Sequence, residues 1–435
     1  MVHRKNISVT PDLLALHQFK PEAYPYLLAS NTRGKVNTRF SILMAYPEST
    51  VVQITADEDC LTNIPIELTQ SKAVHDLPFI GGWFVFLSYE YASVIEPTVS
   101  FYPESSDLPI AFISKIPAAI IIDHEKNICT IVAEEKHKEL IAQIEQDIKD
   151  TPSFSKKSLP EFTLEEEDPD IYRYQLDKIH QYIVEGDIFQ ANVSRQWIAN
   201  YTSDIDPLSL YHNLYLTNPA PFAGLIKYKE QYILSSSPER LISVKNAKAD
   251  TRPIAGTYPR GKNEQEDMEL SKSLLNHPKE RAEHVMLIDL ERNDLGRICQ
   301  PGSICVTDQM ILETYSFVHH IVSAINGILK KGISVKEVLH AVFPGGTITG
   351  CPKVRCMQII SELEKSARGA YTGSVGYISN DGQMDFNILI RTMTVNGNSV
   401  KLRAGAGIVS DSNTEKELIE THHKARGLLN ALHSN

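Results

Sequence analysis

Two short turns constrain the architecture of this chain more than any other feature. Asn380-Asp-Gly382 follows the apolar stretch Val375 to Ser379, and Asn396-Gly-Asn398 follows Ile388 to Thr394. Turns of this composition adopt the positive φ angles that suit a tight hairpin, so the strands they join run antiparallel. Tyr232 to Ser236 and Ile188 to Val193 read as further strands, as do the apolar runs Phe40-Ser-Ile-Leu-Met-Ala and Ala118-Ala-Ile-Ile-Ile-Asp. Between them, Tyr172, Leu176, Ile179 and Ile183 recur at helical spacing, with Gly186 as a stop, and similar patterns cover Val335 to Phe343 and Val354 to Leu363.

A chain of 435 residues is long enough for two or three structural units. Residues 1–150 show mixed short elements and no catalytic cluster. Residues 151–170, rich in Pro, Ser and Lys and carrying the acidic run Glu165-Glu-Glu-Asp168, are expected to be a linker or surface crossover, and 171–435 a catalytic unit. A net charge of -11 without a concentrated Lys/Arg tract argues against nucleic acid as a partner, because such binding rests on neutralising phosphates. No apolar segment has the length of a membrane span or the form of a signal-peptide core. A cytoplasmic location is expected. Six cysteines, Cys60, Cys129, Cys299, Cys305, Cys351 and Cys356, contain no CxxC pair and read as reduced thiols.

Chemistry concentrates in the second half. Glu280 with Glu283, and Glu417 with Glu420, are acids three residues apart on helical stretches, so each pair shares one helix face. Such pairs are common on solvated helices; together they also offer hard oxygen ligands to Mg2+. FPGGTITGCPK (Phe343 to Lys353) and AGAG (Ala404 to Gly407) look like glycine-rich turns, either tight corners or clusters of N–H groups for an anion. Neither has the spacing of a nucleotide-binding loop. Arg391, in an apolar β-rich run, needs an acidic partner or a bound carboxylate. His320 in SFVHHIVS reads as a hydrogen-bonded core histidine, Gln190 in GDIFQANVSR as a polar strand residue. Glu239, after Pro238 at a strand end, is either a general acid or a turn carboxylate.

In order along the chain, GDIFQANVSR, SSSPERL, RPIAGTYPRG, ERAEHVMLIDLERNDLGR, VHHIVS, FPGGTITGCPKVRCMQII, GSVGYIS, MDFNILIRTM, AGAGIVSDS and ELIETHHKAR resemble the chorismate-binding enzymes across about residues 170 to 430. YPYLLASNTRGKVNTRFSIL resembles the first part of the aminating members. The resemblance implies an α+β fold like that of anthranilate synthase component I, two antiparallel β-sheets packed face to face with helices outside. It implies chorismate as substrate and Mg2+ as cofactor, with Glu283 and Glu420 as ligands and Glu280 and Glu417 as supporting acids. Tyr371, Arg391 and Gly407 match positions that hold substrate carboxylate, with Thr347 close by. Glu239 matches the general acid for departure of the C4 hydroxyl, and His320 the histidine beside the ring. Ammonia is implied to come from a separate glutamine amidotransferase subunit, since the chain has no recognisable glutaminase nucleophile motif.

Family members that add water carry a lysine base at the position of Gln190, and glutamine cannot serve as that base, so ammonia is the expected nucleophile. QAN at Gln190 to Asn192, VHH at Val318 to His320 and FPGG at Phe343 to Gly346 resemble the members that aminate C4 on the way to 4-aminobenzoate and folate. Ala255 in PIAGT instead resembles the anthranilate-forming members, since many C4-aminating enzymes carry a nucleophilic lysine there. LLAS at Leu27 to Ser30 departs from the LLES of tryptophan-sensing members.

Overall fold

The strand Ala118–Asp123 shows how the layers arise. Every one of its residues is buried, and because successive side chains point to opposite faces, its apolar residues divide between two cores. Ile120 and Ile122 pack with Leu16, Leu208, Leu214 and Leu428 of covering helices. Ala119 and Ile121 join Phe84, Phe86 and Phe112, which belong to a second sheet. Tyr26 and Phe84 stack across that interface with ring centroids 4.0 Å apart. A strand covered on both faces has no polar side, which is why the sequence shows an unbroken apolar run.

In this computed structural model, residues 2–30, 39–68, 76–104, 107–314 and 318–433 are described. Residues 31–38 and 315–317, which belong to two of the segments quoted above, lie outside them. One sheet has 12 strands and the other 10, paired antiparallel throughout the described residues. The expected architecture of two antiparallel sheets face to face with helices outside is the one found. Both sheets draw strands from either side of residue 150: Tyr26–Ala29 pairs with Phe222–Tyr228, and Gly82–Leu87 with Ser374–Ser379. Within 151–170, Phe162–Glu166 is a strand on the edge of Gln190–Tyr201. No helix among the described residues is long and apolar enough to cross a membrane, and all six cysteines are free.

The predicted helices are Pro169–Val184, Val335–Val342 and Lys353–Glu364. Asp168 caps the first by accepting from Asp170 N, and Ser334 and Glu337 form a capping box on the second. Both hairpins form. Two expectations are corrected. Ile388 to Arg391 is not strand: Met384–Asn387 belongs to the 10-stranded sheet and Thr392–Asn396 to the 12-stranded one, so the intervening residues cross between sheets and Arg391 takes φ 50°. AGAG is not a turn but part of the strand Ser399–Ile408; its glycines answer to close neighbours.

Candidate active site

The strand Gln190–Tyr201 runs beside Ser399–Ile408, pairing Asn192 with Gly407 and Ser194 with Gly405. A Cβ at Gly405 would lie 2.5 Å from Val193 O and 3.0 Å from the Tyr371 hydroxyl; one at Gly407 would lie 2.2 Å from Gln190 Nε2 and 3.5 Å from Glu283 Oε1. The absent side chains therefore make room for Tyr371, Gln190 and Glu283. Gln190 is buried, and its amide donates 3.0 Å to Glu283 Oε1.

Glu280 and Glu283 sit in the first two turns of the helix Pro278–Ile298, where the helix dipole favours negative charge. Glu280 leans the other way from Glu283, its Oε2 2.9 Å from the site of a Cβ on Gly256, next to Ala255. Ala255 is buried on the strand Ile254–Pro259 and pairs with Ile321. From the opposite side, the helix Thr414–Ala431 presents Glu417 and Glu420. Lys424, one turn beyond Glu420, bridges Glu420 Oε1 at 2.7 Å and Gly405 O at 3.0 Å. Burial opposes its charge, but Glu420 and, further off, Glu417 raise its pKa above the ordinary lysine value. Acids from two helices thus approach the Gly405–Gly407 stretch, and carboxylate oxygens are the donors that a hard divalent cation takes. Lys424 was not singled out from sequence, although its place four residues after Glu420 was a legible signal.

A second side of the site gathers Glu239, Thr347 and Arg391. Glu239 is buried, and burial raises its pKa to about 7 against the opposing pull of Thr347, Lys424 and Arg391. The Thr347 hydroxyl faces it but is buried without completing a hydrogen bond. Arg391 is the sharper finding. Its carbonyl accepts from Ser236 N at 3.1 Å, yet among the described residues its guanidinium has no ion pair, and burial lowers its pKa although Glu239 favours the charge. The acidic-partner alternative for Arg391 is therefore not the one found. Tyr371 is buried, with its hydroxyl facing the strand glycines. His320 is buried on Val318–Ile328, opposite Thr257 and Glu313 in the sheet. Its neighbour His319 is held by Asp267 at 2.9 Å and Thr314 at 2.9 Å, a structural role.

Acids from two helices, a buried carboxyl whose pKa is raised to about 7, a guanidinium without an ion pair among the described residues and glycines that clear space between them thus come together. The family of chorismate binding enzymes matches this chain over residues 26–430. The anthranilate synthase component I-like protein of Synechocystis sp. is 41% identical over 378 residues, covering 86% of this chain and 77% of that one. Aminodeoxychorismate synthase component 1 of Bacillus subtilis is 38% identical over 376 residues, 83% of this chain and 79% of that one. The crystal structure of anthranilate synthase component I from Streptococcus pneumoniae superposes with a TM-score of 0.81 at 31% identity, covering 91% of this chain and 93% of that one. The chain belongs to the chorismate-binding enzyme family.

Proposed function

We propose that this chain is the synthase component of aminodeoxychorismate synthase, which replaces the C4 hydroxyl of chorismate with ammonia to give 4-amino-4-deoxychorismate, the precursor of 4-aminobenzoate. The observation that carries the reading is Arg391: a half-buried guanidinium without an ion pair among the described residues, close enough to Glu239 to feel that carboxyl's charge when it ionises. A bound carboxylate completes Arg391 with charge-assisted hydrogen bonds, and Tyr371 adds a hydroxyl donor. Glu239, neutral up to about pH 7, delivers its proton to the departing C4 hydroxyl, while His320 stands beside the ring. Glu283 and Glu420 would hold Mg2+, with Glu280 and Glu417 as supporting acids, and the ion when bound would supply neutralisation of the ring carboxylate.

Gln190 supports ammonia as nucleophile. Its amide is engaged with Glu283, and an amide has no basic nitrogen with which to activate water. A separate glutamine amidotransferase subunit supplies the ammonia in this reading, and its setting is the cytoplasm. Ala255 favours a second product: with a buried methyl where a nucleophilic lysine would stand, anthranilate formation is the rival. Incubating the chain with chorismate, Mg2+ and ammonium, then resolving products by chromatography with mass detection, decides between them. An aminated chorismate that aminodeoxychorismate lyase converts to 4-aminobenzoate supports the proposal. Anthranilate and pyruvate formed without the lyase would replace it by the rival.

A further inference from the structure

Two amide side chains at the site each present an oxygen that the fold does not use. Gln190 and Asn192 are two residues apart on the strand Gln190–Tyr201, so their side chains stand on the same face. Both are buried. The Gln190 amide nitrogen donates to Glu283 at 3.0 Å and the Asn192 amide nitrogen to Thr347 O at 3.4 Å, which sets each amide with its oxygen turned away from that partner. Among the described residues neither Gln190 Oε1 nor Asn192 Oδ1 accepts a hydrogen bond. The main chain of Asn192 is pinned as well: its N–H donates to Thr349 O at 2.9 Å, and its carbonyl accepts from Arg368 at 2.7 Å. Gly405 and Gly407 of the neighbouring strand keep the space beside these amides open. A Cβ on Gly405 would lie 3.0 Å from both Asn192 Oδ1 and the Tyr371 hydroxyl, and one on Gly407 would run into the Gln190 side chain. Buried acceptors of this kind are uncommon and costly unless a ligand or ordered water completes them.

We propose that Asn192 holds the nucleophile, its Oδ1 and Gln190 Oε1 accepting two N–H bonds from ammonia over the floor that Gly405 and Gly407 leave clear. The inference rests on ammonia being what this chain adds to chorismate. Ammonia carries three N–H donors and one lone pair, so two acceptor oxygens fix the molecule through its hydrogens and leave the lone pair for the ring. Neither oxygen has to be a base, because ammonia attacks without first losing a proton. Water held in the same place would need one, and a side-chain amide offers no basic nitrogen. The position suits the reaction. Asn192 is bonded to the main chain of Thr347, whose hydroxyl faces Glu239, the proposed acid for the departing hydroxyl. Tyr371, proposed for the substrate carboxylate, stands over the same glycine as Asn192 Oδ1.

Asn192→Leu removes the oxygen and fills its place with methyl groups. Steady-state kinetics of the full chain with Mg2+ at alkaline pH, varying ammonium at saturating chorismate and then chorismate at saturating ammonium, separate the two Michaelis constants. The KM for ammonium should rise about tenfold or more, while the KM for chorismate stays near the wild-type value. Asn192→Asp, which keeps an oxygen at the same place, should bring the ammonium KM most of the way back. An unchanged ammonium KM in Asn192→Leu, or both constants rising together, would overturn the inference, since a residue serving only the fold or the substrate would not move the ammonium constant alone. If circular dichroism shows that Asn192→Leu does not fold, Asn192→Ala is read by the same two constants, with the same split expected and the same results overturning it. The wild-type chain is the separate control: no ammonium-dependent turnover there defeats the reading of ammonia as nucleophile, whereas such turnover without the split in the variants defeats the role of Asn192 alone.

Discussion

The Gln190 amide nitrogen lies 3.0 Å from Glu283 Oε1, joining the first residue of a strand to the second turn of a helix across the space that Gly407 leaves empty. This contact fixes the direction of one acid and at the same time occupies the side chain at the position most telling for the nucleophile. It also makes the glycine strand part of the site, since any side chain at Gly407 displaces Gln190 first.

Gly407→Ala should therefore fold but work poorly. The added methyl would sit 2.2 Å from Gln190 Nε2, forcing Gln190 and with it Glu283 to move. Misplacement of this kind costs ~100-fold in turnover. Steady-state kinetics beside a thermal melt test this; a near-normal kcat would mean that the contact has no part in catalysis.

Glu283→Gln and Glu420→Gln should each lower Mg2+-dependent turnover by about a hundredfold or more, because losing even an outer partner of a metal ligand costs ten- to hundredfold. Circular dichroism should show an intact fold. Titrating Mg2+ against activity checks the assignment, and an unchanged Mg2+ response in either variant would refute it.

Glu239 links stability to pH. Its folded pKa, raised from 4.5 to about 7, means that the folded state holds a proton the unfolded chain has released. Its contribution is full below the unfolded value and is lost as pH rises to about 7. Glu239→Gln, always neutral, escapes that loss. Compared with wild type, its melting temperature should gain between pH 5 and pH 7.5, while kcat falls by about 100- to 10,000-fold. Parallel stability profiles for the two proteins would show that the carboxyl is not held neutral.

Arg391→Lys should raise KM for chorismate by about 10- to 100-fold, the cost of weakening charge-assisted hydrogen bonds. Arg391→Leu should weaken binding further while leaving the melting temperature level or higher, because desolvation works against the charge of the unliganded guanidinium, which has no ion pair among the described residues. A marked loss of stability in the leucine variant, with KM unmoved, would assign Arg391 to the fold instead.

Much of this was legible from local pattern. The hairpins at Asn380 to Gly382 and Asn396 to Asn398 depend on the turn residues themselves, and the helix around Leu176 on spacing that any amphipathic helix must obey. The acid pairs were visible for the same reason, as were Glu239 at its strand end and Gln190. Ile388 to Arg391 was misread because composition favours a strand while tertiary demand sends those residues between sheets. AGAG was misread because glycine marks a turn and a close approach alike.

What the sequence determined by itself was the kind of element each segment forms and the family to which its motifs belong, because these follow from periodicity and from residues close in the chain. Only the tertiary structure decided that Arg391 makes no ion pair among the described residues although Glu239 lies near it, and that Lys424 bridges Glu420 to the glycine strand. Those facts depend on residues 19 positions apart, Gly405 and Lys424, or on the surroundings of a side chain, and both are set by how sheets and helices pack rather than by any local preference of the chain.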